Sequence, residues 1–298
     1  MQKKIRINHV YLPYLKNKDR YLILYGSAGS GKSVFAAQKV VARLVGEAGH
    51  RMLVVRKVAN TLRSSVFQLI IDTIRSYGLF DEFNINKSEM RITHNPTGNE
   101  ILMGGLDDVE KLKSIAGVTS IWIEEATELT ADDFDQIDLR LRGETENYKQ
   151  IVLSFNPIDE RHWLKGRFFD NELEDATILK TTYRDNEFLD EDYKRTLELK
   201  AKVNPNYYRI YVLGEWGRED VSRPFIYNFD RKKHTGKLKR VEGVPIRFSI
   251  DFNVDPFVCI YGQVWQDKDG HHIHILGEIV LNNKGVQDMI EVIKTRFT

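Results

Sequence analysis

The sequence predicts an α/β fold in which a central, mostly parallel sheet is covered by helices on both faces. Short apolar runs alternate with segments of helical periodicity through the first 216 residues. The apolar runs are continuous rather than alternating, which is typical of strands buried on both faces of a parallel sheet. A glycine-rich segment joins the first apolar run to the first helical segment. Together these observations predict one α/β domain at the start of the chain.

The strands of this domain follow from the apolar runs in chain order. RYLILYG is the first, RMLVV the second, and MRITHNPTGNEILMGG reads as a hairpin around NPTGN. VTSIWIEE, QIVLSFNP and ATILKTTY complete the set. The predicted strands are therefore residues 20–26, 51–55, the hairpin 90–105, 118–125, 150–157 and 176–183.

The helices follow from apolar residues at helical spacing and from glycines that end the pattern. The first begins at Lys32 and stops at EAG, and TLRSSVFQLIIDTIRSYG is strongly amphipathic up to Gly78. A third predicted helix stops at Gly143. The predicted helices after the first are residues 61–78, 132–143, 163–169, 189–201 and 206–216.

The composition changes after Trp216, which predicts a second region. Residues 217–244 are rich in charge and poor in apolar periodicity, so we expect a linker there. Its run RKKHTGKLKR, residues 231–240, is typical of a solvated segment and is also suited to contact DNA. Three strands and a helix are then expected. The predicted domains are 1–216, the linker 217–244 and a second, partial domain at 245–298.

Charge, cysteine content and hydropathy exclude several classes of protein. The 298 residues contain 44 Lys plus Arg and 43 Asp plus Glu, a net charge of +1 that excludes histone-like attraction to nucleic acid. The single cysteine, Cys259, stands in the apolar run FVCIYG and is expected to be a small buried hydrophobe. No apolar run approaches the ~20 residues of a membrane helix, and the N-terminus lacks a signal-peptide core.

The segment GSAGSGKS matches the P-loop pattern G-x-x-x-x-G-K-[ST] between a predicted strand and helix. In such a loop the backbone N–H groups surround the phosphates, Lys32 supplies charge at the β- and γ-phosphates, and Ser33 offers a hydroxyl to Mg²⁺. The alternative, a glycine- and serine-rich turn, is disfavoured by the flanking elements. The predicted ATP-binding residues are Gly26, Ser27, Ala28, Gly29, Ser30, Gly31, Lys32 and Ser33.

A P-loop ATPase needs a second strand that ends in an acidic residue, and IWIEE is such a strand. Glu124 stands where aspartate is usual, so we expect it to bind Mg²⁺ either directly or through a water. Glu125 is then the general base or the water-orienting residue. The alternative role, acids at a helix N-terminus, suits Glu128, Asp132 and Asp133 better.

Further candidates complete the predicted ATPase site. In LSFNP, Asn156 is the first candidate and Ser154 the second for sensing the γ-phosphate beside a central P-loop strand. Tyr11 and Tyr14 suit adenine stacking and hydrophobic packing about equally. The candidates for a transition-state cation are Arg56, Lys113, Arg140 and Arg142, among which the sequence does not choose.

In the second region, Asp251 ends a short apolar strand, as the first carboxylate of a two-metal nuclease does. Asp255 and Glu278 are the other acids that could join it, although a turn or a solvent-facing role is also open to them. His271, His272 and His274 are less suited to a metal site than to a hairpin.

Seven segments in one order resemble the large subunit of tailed-phage terminases, PBSX-like branch, over residues 7–298. They are YGSAGSGKS, VVRKVANTLRSSVF, GGLDDVEKLKSIAG, IWIEEATELT, LSFNPIDERHWL, TTYRDNEFLDEDY and YRIYVLGEWG. The resemblance implies a P-loop ATPase domain of the ASCE type followed by a ribonuclease-H-like nuclease. It implies ATP hydrolysis with Mg²⁺ at Gly26–Ser33, Glu124, Glu125 and Ser154–Pro157, and a Mg²⁺- or Mn²⁺-dependent nuclease to which Asp251 belongs.

The same resemblance implies the biological setting. It implies translocation of double-stranded DNA into procapsids in the host cytoplasm, no membrane association, and a homo-oligomer working with a portal protein and a small terminase subunit. The chain stops about 50 residues after Asp251, short of a typical domain, so we expect an incomplete nuclease that does not cut DNA alone. The alternatives are another P-loop motor, such as a helicase, and a non-catalytic nucleotide-binding fragment.

Overall fold

The computed structural model describes most of the chain as two compact units. They comprise Met1–Val221 and Ser222–Thr298 and are treated separately below. The described residues are 5–106, 115–171, 173–200, 204–218, 231–252 and 255–297. Lys113 and residues 219–230 of the predicted linker lie outside them. No described helix has the length and apolarity needed to cross a bilayer.

The first unit contains one sheet of eight described strands in the order β3-β4-β5-β2-β6-β7-β1-β8. The strands are β1 Tyr21–Gly26, β2 Arg51–Arg56, β3 Phe83–Asn86, β4 Arg91–His94, β5 Glu100–Gly105, β6 Ser120–Glu124, β7 Gln150–Phe155 and β8 Ala176–Thr181. β3, β4 and β5 pair antiparallel, and the other pairs are parallel. The predicted mostly parallel α/β sheet is confirmed.

Two details of the sheet differ from the prediction. β1 lies second from the edge, beside β8, so the expectation of a central P-loop strand is wrong. β3 was not predicted, because FNIN is only four residues long and its alternation is too short to stand out from the surrounding polar segment. It pairs with β4 and extends the predicted hairpin at the other edge of the sheet.

The helices of this unit cover both faces of the sheet. They are α1 Lys32–Gly46, α2 Ala59–Ser64, α3 Val66–Tyr77, α4 Ala131–Asp138, α5 Trp163–Phe168, α6 Glu191–Leu199 and α7 Pro205–Tyr211. α1 and α3 pack on one side against a core that includes Leu22, Leu24 and Trp122. α4 and α5 pack on the other side against Ile23, Ile121 and Ile123. Alternate residues of one strand thus enter opposite cores, which explains the continuous apolar runs.

Three predicted helices are interrupted or end several residues earlier than expected. The helix expected at 61–78 is interrupted at Ser65 (φ −112°, ψ −84°), whose hydroxyl donates to Thr61 O at 2.5 Å and so competes with the backbone ladder. α4 ends at Asp138, where the chain changes to turns. α7 ends at Tyr211, and Gly214 follows in a left-handed conformation (φ 60°) that commonly terminates a helix.

The second unit is a three-stranded antiparallel sheet with a helix on one face. After α8, Arg231–His234, within the predicted linker, come β9 Ile246–Asp251, β10 Phe257–Asp267, β11 Gly270–Leu281 and α9 Val286–Phe297. The sheet order is β11-β10-β9. Its small core consists of Phe257, Cys259, Ile279 and Met289, which confirms that Cys259 is buried.

Candidate active site

A cavity of about 370 Å³ lies at the carboxyl ends of β1, β6 and β7. Parallel strands bring residues from distant parts of the sequence to this edge of the sheet, which is where α/β proteins bind ligands. The P-loop, the glutamate pair and Asn156 all reach it. The lining residues are Ala28, Gly29, Ser30, Gly31, Lys32, Ser33, Val34, Glu124, Glu125, Ser154, Phe155, Asn156, Asn186 and Leu189.

The predicted P-loop connects β1 to α1 through backbone conformations that need glycine. Gly26, Gly29 and Gly31 have φ values of 142°, 71° and 90°. At Gly26 a side chain is excluded by space as well, because an ideal Cβ would lie 1.7 Å from Thr181 O. The spacing of glycines in the motif is therefore a steric requirement of this turn.

Lys32 is buried at the base of the cavity and is bonded to the loop itself. Its Nζ donates to Ser27 O at 2.6 Å, to Ser30 Oγ at 3.2 Å and to Gly26 O at 3.4 Å. Burial lowers the pKa of Lys32 to about 8, against the opposing attraction of Glu125 and Glu124. The ammonium therefore sits where negative charge from a ligand would strongly favour its protonated form.

Glu124 links the P-loop to the neighbouring strand through both carboxylate oxygens. Ser33 Oγ donates to its Oε1 at 2.7 Å, and Ser154 Oγ donates to its Oε2. Trp122 Nε1 in turn donates to Ser154 Oγ at 2.7 Å. Burial raises the pKa of Glu124, and the two hydroxyls and Lys32 oppose that rise. The longer glutamate side chain thus reaches the serine hydroxyl of the P-loop.

Glu125 follows β6 in a left-handed conformation, with φ 51° and ψ 53°. The reversal of the chain takes the side chain of Glu125 into the cavity beside Glu124. Burial raises the pKa of Glu125, and the neighbouring carboxylate of Glu124 raises it further. A carboxylate held this way has a greater affinity for protons than a solvated one.

The two polar residues of LSFNP take different positions. Asn156 Nδ2 donates to Gly26 O at 2.6 Å, so it connects the end of β7 to the start of the P-loop. Ser154 lies deeper and is bonded to Glu124 and Trp122. Both line the cavity.

The tyrosines upstream of the P-loop pack against α1. Tyr11 is 1% exposed, its ring stacks on Phe35 at 4.7 Å, and its hydroxyl donates to Ser30 O at 3.0 Å. Tyr14 packs against the same core and is not among the described residues that line the cavity. Adenine stacking by Tyr14 stays a prediction.

The candidate cations are distributed over the first unit. Arg56 makes two bonds to Glu128, at 2.9 and 2.7 Å, and this partner, together with the nearby Glu125 and Glu124 charges, raises the pKa of Arg56. Arg140 and Arg142 lie just after α4, and Lys113 lies outside the described residues.

The predicted nuclease residues of the second unit are not gathered together. Asp251 ends the edge strand β9 opposite Val258, whereas Glu278 on β11 faces Ile260. Asp255 Oδ1 accepts from Asn283 N at 3.2 Å. Among the described residues no group of three or more His, Cys, Asp or Glu side chains could hold a metal ion. His272 instead bonds to Asp267 at 2.9 Å and stacks on Trp265.

Among the polar residues that line the cavity, Asn186 is the one that sequence reasoning missed. Its Nδ2 donates to Gly29 O at 2.7 Å from the turn that follows β8. A polar residue in TTYRDNEFL carries no spacing signal of its own, since its approach to the P-loop is set by the pairing of β8 with β1.

Comparison with known proteins places this geometry in a family. A family model described as phage terminase large subunit matches residues 18–215. The chain belongs to the phage terminase large subunit family. One relative is the PBSX phage terminase large subunit of Bacillus subtilis (strain 168), which is 29% identical over 97% of this chain and 72% of that protein. Another is the terminase large subunit of Bacillus phage SPP1, which is 30% identical over 93% of this chain and 70% of that protein.

The fold is shared with solved terminase structures. The large terminase of a thermophilic bacteriophage, solved in complex with ADP, aligns with a TM-score of 0.61 at 17% identity, over 97% of this chain and 74% of that one. The predicted family, the P-loop ATPase fold and the assignment of the chain as a terminase ATPase are confirmed. The helicase alternative is set aside, because the family match covers most of the chain.

Proposed function

We propose that the cavity binds ATP together with Mg²⁺ and that hydrolysis of this ATP drives DNA packaging. The observation that carries this proposal is the 2.7 Å bond between Ser33 Oγ and Glu124 Oε1, which joins two motifs separated by 91 positions. The large terminase of the thermophilic bacteriophage, whose fold this chain shares, was solved with ADP. A nucleotide of that type fits a cavity lined by P-loop glycines, a lysine and two carboxylates.

Ser33 and Glu124 are the residues that would hold Mg²⁺. Mg²⁺ prefers oxygen ligands and is commonly bound by one or two protein oxygens together with phosphates, and this hydroxyl–carboxylate pair supplies such oxygens. Ser154 occupies the other oxygen of Glu124 and fixes the orientation of the carboxylate. When bound, the ion neutralises charge on the β- and γ-phosphates.

Lys32 contributes charge at the phosphates. Its three bonds to the P-loop keep the ammonium inside the loop before a nucleotide arrives. A polyphosphate competes with these neutral acceptors, because its full negative charges attract the ammonium more strongly than the dipoles of carbonyl and hydroxyl groups do. The lysine then keeps its proton and stabilises the negative charge that moves toward the β-phosphate as the γ-phosphoryl group leaves.

Glu125 orients the attacking water and accepts its proton. The water oxygen bonds to the γ-phosphorus, the bond to the β–γ bridging oxygen breaks, and the proton passes to the Glu125 carboxylate, giving ADP and phosphate. The raised pKa of Glu125, caused first by burial and then by Glu124, makes this carboxylate a better base. Asn156 connects the reaction to the rest of the fold, because its bond to Gly26 O joins the P-loop to β7.

The wider setting is proposed from the family. We infer that the motor contacts the backbone of double-stranded DNA without reading bases, partly through residues 231–240. We also propose that the chain works as a homo-oligomer, together with a portal protein and a small terminase subunit, in the host cytoplasm. The domain division at 1–216, 217–244 and 245–298 is part of it, with the second unit as a portion of a ribonuclease-H-like nuclease.

In that second unit we propose that Asp251 is a ligand of the nuclease metal, Mg²⁺ or Mn²⁺. Asp251 is an exposed carboxylate at the end of β9, and the described residues place no pair of further ligands beside it, so Asp251 would be one ligand of an incomplete set. Titration of the chain with Mn²⁺, followed by electron paramagnetic resonance, tests this. Loss of one site in Asp251→Asn supports the proposal, and an unchanged titration contradicts it.

The ATPase mechanism is tested by Glu125→Gln, which keeps the size of the side chain and removes the base. We expect kcat for ATP hydrolysis to fall about 100-fold or more, with ADP affinity retained. The matched control is Glu174→Gln, an exposed glutamate of the same unit. Hydrolysis by Glu125→Gln at the wild-type rate would contradict the role of Glu125.

A further inference from the structure

The P-loop is held by its carbonyl oxygens. Each of the six consecutive carbonyls from Gly26 to Gly31 accepts a hydrogen bond from the protein. The donors, in order, are Asn156 Nδ2, Lys32 Nζ, Ser27 Oγ, Asn186 Nδ2, the Tyr11 hydroxyl and Phe35 N.

This pattern decides where the N–H groups point. In a planar trans peptide the C=O of one residue and the N–H of the next point in opposite directions. A protein donor on Gly29 O therefore directs Ser30 N–H to the other side of the loop, and a donor on Ser30 O does the same for Gly31 N–H. Gly29, Ser30 and Gly31 line the cavity, so these N–H groups form part of an anion-binding nest.

Three of the donors, Asn156, Asn186 and Tyr11, come from outside the P-loop strand and helix. The last two bond to the neighbouring carbonyls of Gly29 and Ser30. Asn186 follows the turn after β8, and Tyr11 belongs to the 3-10 helix His9–Lys16. They meet at one place, since an ideal Cβ on Gly31 would lie 3.6 Å from Tyr11 Cε2 and 3.7 Å from Asn186 Nδ2. The two side chains hold neighbouring peptides of the loop.

Both donors are themselves fixed. Asn186 Oδ1 accepts from Phe188 N at 3.1 Å, which leaves the amide nitrogen facing Gly29 O. The turn that carries Asn186 is bonded to the loop a second time, because Tyr183 N donates to Ser27 Oγ at 2.6 Å. The Tyr11 ring is held by stacking on Phe35, and its hydroxyl also bonds to Thr181 Oγ1 at 2.9 Å.

We propose that Asn186 and Tyr11 are positioning residues that keep the Gly29–Ser30 and Ser30–Gly31 peptides in the phosphate-binding orientation. They act on nucleotide affinity through the loop. This inference rests on the proposed nucleotide site. It predicts equal effects on ATP and ADP, because loop N–H groups surround phosphates that both nucleotides carry.

The test compares Asn186→Leu and Tyr11→Phe with the wild type. Leucine keeps a branched side chain without a donor, and phenylalanine keeps the stacked ring without the hydroxyl. Matched controls are Asn171→Leu, which removes a 2.6 Å bond to Gly166 O, and Tyr21→Phe, which removes a 3.1 Å bond to Asp138. Kd for ADP and for a non-hydrolysable ATP analogue, KM, kcat and the Tm of the nucleotide-free protein are measured.

We expect each test variant to raise Kd for both nucleotides about five- to tenfold, as for the loss of one hydrogen bond. KM rises in step, kcat stays within about twofold, and the controls match the wild type. In the double variant, the fold-increase in Kd should be smaller than the product of the two single increases, because the two peptides are adjacent.

Three results would overturn the inference. The first is unchanged Kd in both test variants. The second is weaker binding of the ATP analogue alone in Asn186→Leu, which would show that the second amide hydrogen contacts the γ-phosphate directly. The third is a fall in Tm so large that the fraction of unfolded protein at the assay temperature explains the whole loss of binding. If the wild type itself binds neither nucleotide, the proposed nucleotide site fails instead.

Discussion

Replacing Glu124 with glutamine should stabilise the nucleotide-free protein while damaging its site. Glu124 is 8% exposed, and its carboxylate is held by the hydroxyls of Ser33 and Ser154. Burial raises its pKa above the value of 4.5 expected in an unfolded chain. Glutamine keeps the length and shape of the side chain. One serine hydroxyl can still donate to its amide oxygen, and the other can rotate to accept from its amide nitrogen.

The sign of the effect follows from proton linkage. Because the folded pKa is the higher one, the stability contributed by Glu124 is present below about pH 4.5 and is lost as pH rises through the folded value. A neutral glutamine avoids that loss. Each tenfold change in proton affinity is worth about 1.4 kcal/mol, and a domain of this size gains roughly 2–4 °C per kcal/mol. A tenfold change therefore corresponds to a Tm increase of roughly 3–6 °C.

Thermal unfolding without nucleotide, from about pH 5 to about pH 8, measures the effect. We expect the Tm advantage of Glu124→Gln over the wild type to grow as pH rises. Glu174→Gln, which removes the same charge from an exposed position, should show no such growth. With Mg²⁺ and ADP present, the order should reverse, since the wild type gains binding energy that the variant lacks. A Glu124→Gln protein less stable than the wild type at about pH 8 would refute the reasoning.

The remaining predictions concern charge, backbone space and the second core. Since the pKa of Lys32 is about 8, ADP affinity measured by calorimetry should fall as pH rises through that value, and Lys32→Arg should flatten the profile. Gly143→Ala places a Cβ 2.3 Å from Gly117 O and should lower the free energy of unfolding by about 1–3 kcal/mol or more in urea titrations, whereas Gly46→Ala meets nothing within 4 Å and should be neutral or stabilising. Met289→Ala, at a fully buried side chain, should lower the stability of the second unit by about 2–5 kcal/mol, seen as faster amide hydrogen exchange on β10. The first prediction is contradicted if ADP affinity of the wild type does not change with pH. The second is contradicted if the two glycine variants change the free energy of unfolding equally, and the third if amide exchange on β10 is unchanged.

Much of the fold was predictable because a strand that is buried on both faces needs apolar residues at nearly every position, and the sequence shows such runs directly. β6 and β7 are buried at every position, which is why IWIEE and QIVLSF read as strands without alternation. The P-loop was predictable for a different reason, since its glycines are required by φ values that other residues rarely adopt. The family match agrees with the resemblance carried by the motifs.

The parts that sequence missed depend on contacts between distant residues. Nothing local distinguishes Asn186 from any other turn asparagine, and its role appears only when β8 pairs with β1. The break at Ser65 is also invisible in the periodicity, because the apolar spacing continues through it. The position of β1 near the sheet edge is set by strand order, which single-strand patterns do not encode.

The left-handed backbone of Glu125 has a consequence for laboratory evolution. A non-glycine residue at φ 51° is strained by about 1 kcal/mol, and this one also buries a carboxylate beside another. Glycine or asparagine at that position would reduce the backbone strain and would remove the buried charge. A selection that rewards heat resistance alone would thus tend to discard Glu125 early, so libraries of this chain need a turnover screen at every round to keep the carboxylate proposed to activate water.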